Sequence, residues 1–590
     1  MTACIYYHPE AYQTAGPKLM GRNAAGESFL RGFFRYAKGT HRYAQVESSE
    51  HAKAWKAILK SHGMEHDGVI ITKENLERLS EPGVLYLPGP GLAEHAWFRQ
   101  AYGQAAWSLC GITHTTASAR AMDALVELIS APVQCWDALI CTSTAVKAQV
   151  EYVLQAQVDY LAERLGVTRI VLPMLPVIPL GIHCDDFFWT ANAKAQARAS
   201  LGIAHEDIVV LFVGRLSFHA KAHPLAMYQA LEAAWRRVKA QASQSLLSHA
   251  RLVLIECGWH ANEPIAKAFA QAAAQACPSV RMVQLDGRDA LARQKAWACA
   301  DIFCSLSDNV QETFGITPLE AMAAGLAQVV TDWDGYKDTV RDGVDGFRIP
   351  TWMPQAGLGR DFALRHALGL DTYDMYCGYT ASMVSVDIDA ATEAFVRLFS
   401  NPSLRHQMGE AARERAKRHF DWSVIMNQYT ALWEHQNETR LEATQDTRSS
   451  QRLSAPTKAL PRPARLDPYE SFQGYPSAKL EPHTRVQLRG RDAMAQLSEL
   501  ETLLMVNYTD RAQPNATERR AMLAWLQAQP EQMTEALALA EASGDPARTA
   551  LRFRGIAWLA KLGLVRLMAQ APHTPHTPHT PHIPTYDLDH

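Results

Sequence analysis

The chain has 590 residues, of which 47% are hydrophobic and 20% are charged, and its formal net charge is −3. This length is too great for one hydrophobic core, so we expect roughly two to four domains. The composition is that of a globular protein, and the near-neutral charge gives no reason to expect nucleic acid as a partner.

Cysteine usage and the start of the chain favour a cytoplasmic protein. The ten cysteines form no CxxC pair and no His/Cys ligand spacing, so we expect reduced packing residues rather than disulfides or a zinc site. Residues 1–7 read directly as a strand, without the basic and apolar regions of a signal peptide. No apolar stretch is long enough to cross a bilayer.

Residues 1–181 alternate strand-like and helical runs, which predicts βαβ units and a mostly parallel sheet. The strands are expected at 4–7, 68–71, 84–87, 111–113, 138–141 and 170–175. We place the boundary to a second domain near Gly181.

A small-residue loop is expected at 21–29, after the first strand, where it would open a helix. An ordinary tight turn between strand and helix explains the same residues equally well. The helix carries Arg31, Arg35 and Lys38. This basic face would either meet acidic or membrane-borne phosphate groups, as a peripheral contact, or simply be solvated.

The second domain, residues 182–395, is predicted to present cations at the end of a strand. The apolar run 208–213 is followed by Gly214-Arg215-Leu216, with Lys221 in the next loop. A guanidinium and an ammonium at one strand end can neutralise a diphosphate, although each alone would be an ordinary surface charge.

The stretch 300–346 has the pattern of a buried strand, a polar loop and a capped helix. Thr317 is suited to be the N-cap, Pro318 to open the helix and Glu320 to complete a capping box. Free backbone N–H groups at such a helix start, beside Gly315, favour an anion such as phosphate.

Glu312 and Glu320 stand in an E-x7-E arrangement within ETFGITPLEAMAAG, and GVDGF follows at 343–347. Glu312 alone is an ordinary loop carboxylate, and helix capping alone would explain Glu320. The combination resembles the donor-sugar signature of retaining GT-B glycosyltransferases, the glycogen-synthase-like "group 1" or family 4 enzymes. The resemblance covers about residues 1–434.

The resemblance implies an α/β fold of GT-B type, in which two doubly wound Rossmann-like domains face each other across a cleft. It also implies transfer of a sugar from a nucleotide-diphosphate sugar, of UDP or GDP type, to a hydroxyl acceptor with retention of configuration. The acceptor would be a polysaccharide, a lipid-linked glycan or a small molecule.

Site residues follow from the same resemblance. The expected catalytic residues are Glu312, His114, Arg215 and Lys221. The expected donor-binding residues are Glu320, Gly315, Ile316, Thr317, Gly26, Asp286 and Arg288.

Each group has an implied role. Arg215, Lys221 and the N–H groups at the helix start would stabilise the leaving diphosphate. Glu320 would hold the ribose hydroxyls and Glu312 the donor sugar, while His114 would contact the sugar from the opposite domain. The loop at 283–288 would hold the base.

No cofactor and no metal are expected. Asp332-Trp333-Asp334 superficially resembles the metal-binding DxD of GT-A enzymes. It lies, however, in a strand-to-helix turn of GT-B pattern, where a helix N-terminus and cations replace the metal.

The rest of the chain is predicted as crossover helices at 396–436, a proline-rich linker at 437–491, an accessory module at 492–570 and a PHT-repeat tail at 571–590. The module is expected to contain helices near 494–505, 517–527 and 550–567. It is either a helical bundle for oligomerisation or docking, or a winged-helix-like unit.

Three other functions are weighed. A GT-B phosphorylase or epimerase keeps the fold, but no lysine motif for a pyridoxal cofactor is evident. A degenerate scaffold, with a C-terminal module that binds a partner, fits poorly with the paired cations and carboxylates. A dinucleotide oxidoreductase is disfavoured because no G-x-G-x-x-G follows the first strand.

Overall fold

The structure is a computed structural model. It describes residues 2–12, 21–241, 249–445, 462–490, 492–542 and 544–568. The chain divides into two compact units, Met1–Pro463 and Ala464–His590. The predicted tail at 571–590, and residues 446–461 of the predicted linker, lie outside the described residues.

The first α/β domain is built on a six-stranded parallel sheet with the strand order β3-β2-β1-β4-β5-β6. Its strands are β1 (Cys4–Tyr6), β2 (Arg42–Gln45), β3 (Gly68–Ile71), β4 (Val84–Tyr86), β5 (Ser108–Ile112) and β6 (Ala138–Ile140). Its helices are α1 (Pro9–Tyr12), α2 (Gly21–Tyr36), α3 (Ser49–Ser61), α4 (Leu92–Gln100), α5 (Ala119–Ser130) and α6 (Thr144–Leu165), with a 3₁₀ helix at Leu76–Ser80.

Two strands of this domain differ from the prediction. β2 has the sequence Arg-Tyr-Ala-Gln and was not predicted, because it lacks an apolar run. The strand predicted at 170–175 is wrong, because the chain there makes only isolated bridges, such as Met174 with Ala138.

The second α/β domain has a six-stranded parallel sheet with the strand order β12-β11-β10-β7-β8-β9. Its strands are β7 (Ile208–Val213), β8 (Leu252–Gly258), β9 (Arg281–Asp286), β10 (Ile302–Ser305), β11 (Ala327–Thr331) and β12 (Gly346–Ile349). Its helices are α7 (Ala191–Ser200), α8 (Leu225–Gln241), α9 (Glu263–Ala276), α10 (Ala290–Cys299), α11 (Ile316–Ala324) and α12 (Tyr336–Thr339), with a 3₁₀ helix at Cys184–Phe187.

In each sheet the chain first adds strands on one side of its first strand and then crosses to the other side. The crossing lies between β1 and β4 in one domain and between β7 and β10 in the other. This is the doubly wound arrangement, and ligands bind at the carboxyl ends of the strands that flank such a switch point. The predicted fold class, two Rossmann-like α/β domains, is confirmed.

A helical hairpin leaves the second domain after β12, in a segment for which the sequence predicted no element. It consists of β13 (Thr351–Trp352), α13 (Arg360–Ala367), α14 (Tyr373–Ser382) and β14 (Ser385–Val386). The two short strands pair antiparallel and close the base of the hairpin.

The chain then returns to the first domain through α15 (Ile388–Ser400), α16 (Pro402–Arg415), a π-helix at Ala416–Phe420 and α17 (Trp422–Ala443). Nε1 of Trp422 donates a hydrogen bond to Oγ of Ser28 at 2.8 Å, and Nε2 of Gln436 donates to the carbonyl of Leu109 at 2.8 Å. α17 therefore packs on the first domain and continues to Ala443, past the predicted start of the linker at 437.

The C-terminal unit combines helices with a three-stranded antiparallel sheet in the order β16-β15-β17. The strands are β15 (Arg485–Leu488), β16 (Met533–Glu535) and β17 (Val565–Met568). The helices are Pro468–Ser471, Ala493–Leu500, Leu504–Asn507, Ala516–Gln527, Ala536–Glu541 and Thr549–Lys561, with 3₁₀ turns at Asp510–Ala512, Pro530–Gln532 and Pro546–Arg548.

Two boundaries in this unit differ from the prediction. The last helix was expected to reach residue 567, but it ends at Lys561 because Gly563 adopts a φ of 76° and the chain turns into β17. β15 lies inside the segment predicted as linker, and its Val486 is buried in the core of the unit.

Candidate functional site

The loops that follow β7 and β10 meet at the switch point of the second sheet. The two strands are parallel neighbours, with Ile302 opposite Val210, so their carboxyl ends lie at the same edge of the sheet. The first loop carries Arg215 and Lys221, and the second carries Glu312. The structure thus brings together three of the predicted catalytic residues.

Lys221 and Glu312 form an ion pair in this cleft. Nζ of Lys221 donates a hydrogen bond to Oε2 of Glu312. The two side chains are only 21% and 11% exposed, which strengthens their attraction. An ammonium has three N–H groups, so Lys221 can bond Glu312 and an anion together.

Arg215 is oriented by the second loop. Its Nη2 donates hydrogen bonds to Oε1 of Gln311 at 2.8 Å and to the carbonyl of Ala220 at 3.1 Å. Gln311 was not predicted, because nothing in the sequence distinguishes it from an ordinary loop residue. Its contact holds the guanidinium beside the loop that carries Glu312.

The start of α11 differs from the predicted capping box. The helix begins at Ile316 and its N-cap is Gly315, and no side chain in the described ranges caps it, so the predicted N-cap at Thr317 and the capping box with Glu320 are wrong. Gly315 has a φ of 77°, and a Cβ there would lie 2.1 Å from the ring of Tyr336. Only glycine fits this turn, so the helix starts earlier than Thr317.

An uncapped helix start of this kind is suited to an anion. The first N–H groups of a helix have no partner within it. Oγ1 of Thr317 is also buried and has no hydrogen-bond partner within the described parts of the chain. A buried hydroxyl without a partner is costly, and an anion held by the N–H groups of residues 315–317 would satisfy it.

Glu320 lies further along α11, near an arginine that was missed in the sequence. Burial raises the pKa of the Glu320 carboxyl to about 7, against the opposing effect of the charges of Arg293 and Lys221. Arg293 lies on α10, and its Nη1 donates to the carbonyl of Gly287 at 2.6 Å. The only signal for Arg293 was its place shortly after the predicted base-binding loop.

Asp286 and Arg288 pair with each other at the end of β9. Nη2 of Arg288 lies 2.8 Å from Oδ2 of Asp286, and these hydrogen bonds lower the pKa of Asp286. Both side chains are about half exposed. The backbone of Gly287 donates to the carbonyl of Gly258 at 3.0 Å and holds this loop beside the end of β8. A donor-binding role for the pair stays a prediction.

His114 reaches the cleft from the first domain, in the loop after β5. Oγ1 of Thr313 donates a hydrogen bond to the carbonyl of His114 at 3.0 Å. Because Thr313 adjoins Glu312, the loops that carry His114 and Glu312 touch across the cleft. The backbone of the fourth predicted catalytic residue therefore lies beside the loop that carries Glu312.

The loop predicted at 21–29 is wrong, because these residues belong to α2. Gly26 lies inside the helix, where a Cβ would stand 2.1 Å from the carbonyl oxygen of Ala11. The glycine therefore lets α1 pack closely against α2. Residues 13–20 lie outside the described residues, and a donor-binding role for Gly26 stays a prediction.

The basic face of α2 is partly neutralised by acidic residues. Nη2 of Arg31 bonds Oδ2 of Asp186, and Nη2 of Arg35 lies 3.9 Å from Oδ2 of Asp185. These contacts favour the interpretation as an ordinary charged face. Among the helices that the structure describes, none combines the length and the apolar character needed to span a membrane.

The two carboxylates of the DxD-like turn have different partners. Oδ1 of Asp332 lies 3.4 Å from Nε of Arg348, whereas Oδ1 of Asp334 accepts a hydrogen bond from Oγ of Ser143 at 2.8 Å. Burial raises the pKa of Asp334 to about 7. Across the described ranges, no group of three His, Cys, Asp or Glu side chains is arranged to hold a metal ion.

The two Rossmann-like α/β domains have the GT-B architecture, and the candidate anion site lies at the switch point of the second sheet. Residues 193–356 match the family described as "Glycosyl transferases group 1". The matched residues cover most of the second α/β domain, including the E-x7-E stretch.

Curated relatives match only part of the chain. The "Phosphatidyl-myo-inositol mannosyltransferase" of Mycobacterium tuberculosis is 28% identical over 148 residues, which are 25% of this chain and 30% of the relative. The "D-inositol 3-phosphate glycosyltransferase" of Geodermatophilus obscurus is 31% identical over 173 residues, 29% of this chain and 36% of the relative. The chain thus spans about a third of the length of these relatives.

Among solved structures, the Anabaena protein Alr3699/HepE in complex with UDP covers 74% of this chain and 100% of its own. It is 14% identical, with a TM-score of 0.47.

Proposed function

We propose that the chain is a retaining glycosyltransferase that moves a sugar from a nucleotide-diphosphate sugar to a hydroxyl acceptor without a metal. One observation carries this proposal: Arg215, Lys221 and the uncapped start of α11 lie together at the switch point of the second sheet. Two cations and a helix N-terminus suit a diphosphate. The two curated relatives are also named for sugar transfer.

The positive groups would act on the leaving group. When the bond between the anomeric carbon and the diphosphate breaks, negative charge develops on the phosphate oxygen. Donors that already surround this oxygen lower the barrier, and loss of one such donor typically slows turnover roughly a hundredfold to a thousandfold. Lys221, Arg215 and the N–H groups of Gly315, Ile316 and Thr317 are these donors.

Glu312 and His114 would act on the sugar. Glu312 is held by Lys221, so its carboxylate can bond sugar hydroxyls and offset positive charge at the anomeric carbon. His114 would contact the sugar from the first domain. The leaving phosphate itself would take the proton of the acceptor hydroxyl, on the face from which it departs, and this gives retention.

Glu320 and Arg293 would serve the nucleoside. The carboxylate of Glu320 would accept hydrogen bonds from the ribose hydroxyls, and the charge of Arg293 favours its ionised form. The loop with Asp286 and Arg288 would line the place of the base.

The first test is calorimetric titration of UDP, GDP and ADP into the full chain. We expect one nucleotide to bind, and we expect Glu320→Ala to weaken that binding roughly tenfold or more, as for loss of a hydrogen bond to a charged group. Glu263→Ala is the matched control, because Glu263 is an exposed carboxylate paired with Lys267 on α9. If none of the three nucleotides binds, or both variants behave alike, the proposed donor site is wrong.

The second test identifies the reaction. Once the nucleotide is known, its sugar derivatives are incubated with hydroxyl acceptors in the presence of EDTA, and the anomeric configuration of the product is read by NMR. Transfer with retention is expected. Inversion, loss of activity with EDTA, formation of a sugar phosphate from inorganic phosphate, or epimerised donor would each contradict the proposal.

A further inference from the structure

A cavity of about 660 Å³ lies between the segment that follows β7 and the helix α14 of the hairpin. Its walls include Phe218, His219 and His223 from the segment, Asp308 from the loop after β10, and Asp374 and Tyr379 from α14. This volume is that of a typical small-molecule site. None of the residues assigned above to the diphosphate, the sugar or the nucleoside lines it.

The cavity shares its walls with the transfer site. His219 and His223 flank Lys221 in the sequence, and Nδ2 of Asn309 donates to the carbonyl of His219 at 3.0 Å. The backbone N–H of His223 donates to Oδ1 of Asp308 at 3.3 Å. The same two loops therefore present Lys221 and Glu312 to the cleft and line the cavity.

The hairpin also reaches the first domain at the cleft. The hydroxyl of Tyr373, at the start of α14, lies 3.4 Å from Oγ1 of Thr115, which adjoins His114. Further along α14, a Cβ at Gly378 would lie 3.1 Å from Cβ of His219, so the helix packs closely on the segment after β7. α14 thus runs from the edge of the transfer site to the wall of the cavity.

The chemistry of the walls selects the ligand. Tyr379, which is 42% exposed, and the half-buried Phe218 both line the cavity, so aromatic rings can contact the C–H face of a sugar ring. Asp308, Asp374 and Ser382 supply oxygen acceptors for hydroxyl groups. Within the described chain no lysine or arginine lines the cavity, so a phosphate or carboxylate would meet carboxyl groups without a compensating cation.

Two titratable groups in the wall agree with a neutral ligand. Burial raises the pKa of Asp308 to about 7, so a substantial fraction is protonated near neutral pH, and this form can donate as well as accept hydrogen bonds. Burial lowers the pKa of His223, which favours the uncharged imidazole.

We propose that the cavity is an acceptor subsite that holds a neutral, polyhydroxylated sugar ring of the acceptor glycan beside the transfer site. This inference rests on the proposed function. It replaces a lipid phosphate, one of the acceptors that the sequence left open, with an uncharged glycan as the group recognised here.

Saturation-transfer NMR on the full chain tests the subsite, with the preferred nucleotide present. The probes are the neutral disaccharides maltose, cellobiose, lactose and mannobiose, and glucose 6-phosphate is the charged comparison. We expect at least one disaccharide to bind and glucose 6-phosphate to bind more weakly. Tyr379→Ala should weaken the disaccharide roughly tenfold or more, as for loss of a stacking ring, while the affinity for the nucleotide stays unchanged.

Tyr376→Ala is the matched control. Tyr376 lies on the same helix, but its ring stacks on His366 at 4.5 Å between centroids and does not line the cavity. A general loosening of the hairpin would affect both variants, whereas loss of a subsite contact affects Tyr379→Ala alone.

Three results would overturn the subsite while the proposed function stands: no disaccharide binds although the nucleotide does, both tyrosine variants bind the disaccharide equally, or glucose 6-phosphate binds more tightly than any disaccharide. If no nucleotide binds in the calorimetric titration, the proposed function fails and the acceptor role fails with it.

Discussion

Asp338 of the second domain accepts two hydrogen bonds from Thr144 of the first domain. Oδ2 of Asp338 accepts from the backbone N–H of Thr144 at 2.7 Å, and Oδ1 accepts from Oγ1 of Thr144 at 2.7 Å. Thr144 is the first residue of α6, where the partial positive charge of a helix N-terminus lies. A carboxylate of one domain thus bonds the helix start of the other, next to the bond between Ser143 and Asp334.

This contact predicts that Asp338→Ala loosens the first turn of α6. The bonds are exposed, so we expect a loss of about 1 kcal/mol, which is roughly a fivefold faster exchange of the Thr144 amide. Hydrogen-exchange mass spectrometry of the peptide that begins α6 measures this exchange rate. Asp123→Ala on α5 is the control, and equal exchange in both variants would show that Asp338 does not hold the domains together.

The ion pair between Lys221 and Glu312 predicts that a single substitution is less stable than the double one. Lys221→Met leaves a largely buried carboxylate without its cation, at a cost of about 2 kcal/mol, whereas Lys221→Met with Glu312→Gln leaves no unpaired charge. Thermal unfolding should therefore show a higher midpoint for the double variant than for Lys221→Met.

Turnover separates stability from catalysis in the same variants. Because both residues are proposed to act on the donor, the double variant should regain stability but stay roughly a hundredfold to a thousandfold slower than the parent chain. A double variant that is no more stable than Lys221→Met, or that turns over normally, would contradict these roles.

Gly315→Ala should be much more damaging than Gly343→Ala. Both glycines have a positive φ, 77° and 72°, so both substitutions carry the backbone cost of about 1 kcal/mol. At Gly315 the added Cβ would lie 2.1 Å from the ring of Tyr336, whereas at Gly343 no described atom beyond the chain neighbours lies within 4 Å. Thermal unfolding and nucleotide titration should show a larger loss for Gly315→Ala. Equal losses would mean that backbone conformation alone accounts for Gly315.

Glu320 predicts a pH-dependent difference in stability between the parent chain and Glu320→Gln. Burial raises the Glu320 pKa from 4.5 to about 7, so the folded chain keeps a proton that the unfolded chain has already released. The stability from this proton is fully present below pH 4.5 and is lost as the pH rises through 7.

The glutamine side chain stays neutral at every pH. The free energy of unfolding of Glu320→Gln should therefore rise relative to that of the parent chain between pH 5 and pH 8, by at most about 3 kcal/mol. Urea unfolding at several pH values measures this difference. Burial also raises the pKa values of Asp308 and Asp334. Both residues are present in the parent chain and in the variant, so their contributions to the pH dependence cancel in the difference. A difference that is the same at pH 5 and pH 8 would contradict the shift.

Local patterns predicted much of the second domain. The apolar runs that become β7 and β10 are long and bounded by polar loops, and ETFGITPLEAMAAG marks the helix that follows. The capping box was wrong because a capping pattern describes only what side chains near a helix start can do. The actual start depends on Gly315, whose position beside the ring of Tyr336 is a tertiary contact.

Other residues of the candidate site could not be predicted for a similar reason. Arg293 and Gln311 are ordinary residues in the sequence, and they matter because Arg293 lies near Glu320 and Gln311 bonds Arg215. The hairpin of α13 and α14 had no clear periodicity. The cavity beside α14 exists only because this hairpin packs on the segment after β7.

The sequence by itself determined the doubly wound fold class, the family signature and the identity of the charged residues at strand ends, because these depend on local hydrophobic patterns and short motifs. Only the tertiary structure decided the strand order that places Lys221 against Glu312, the uncapped start of α11, and the contact of Thr313 with His114 across the cleft. These features depend on which strands and loops become neighbours, and that choice is made by packing of the whole domain rather than by any single segment.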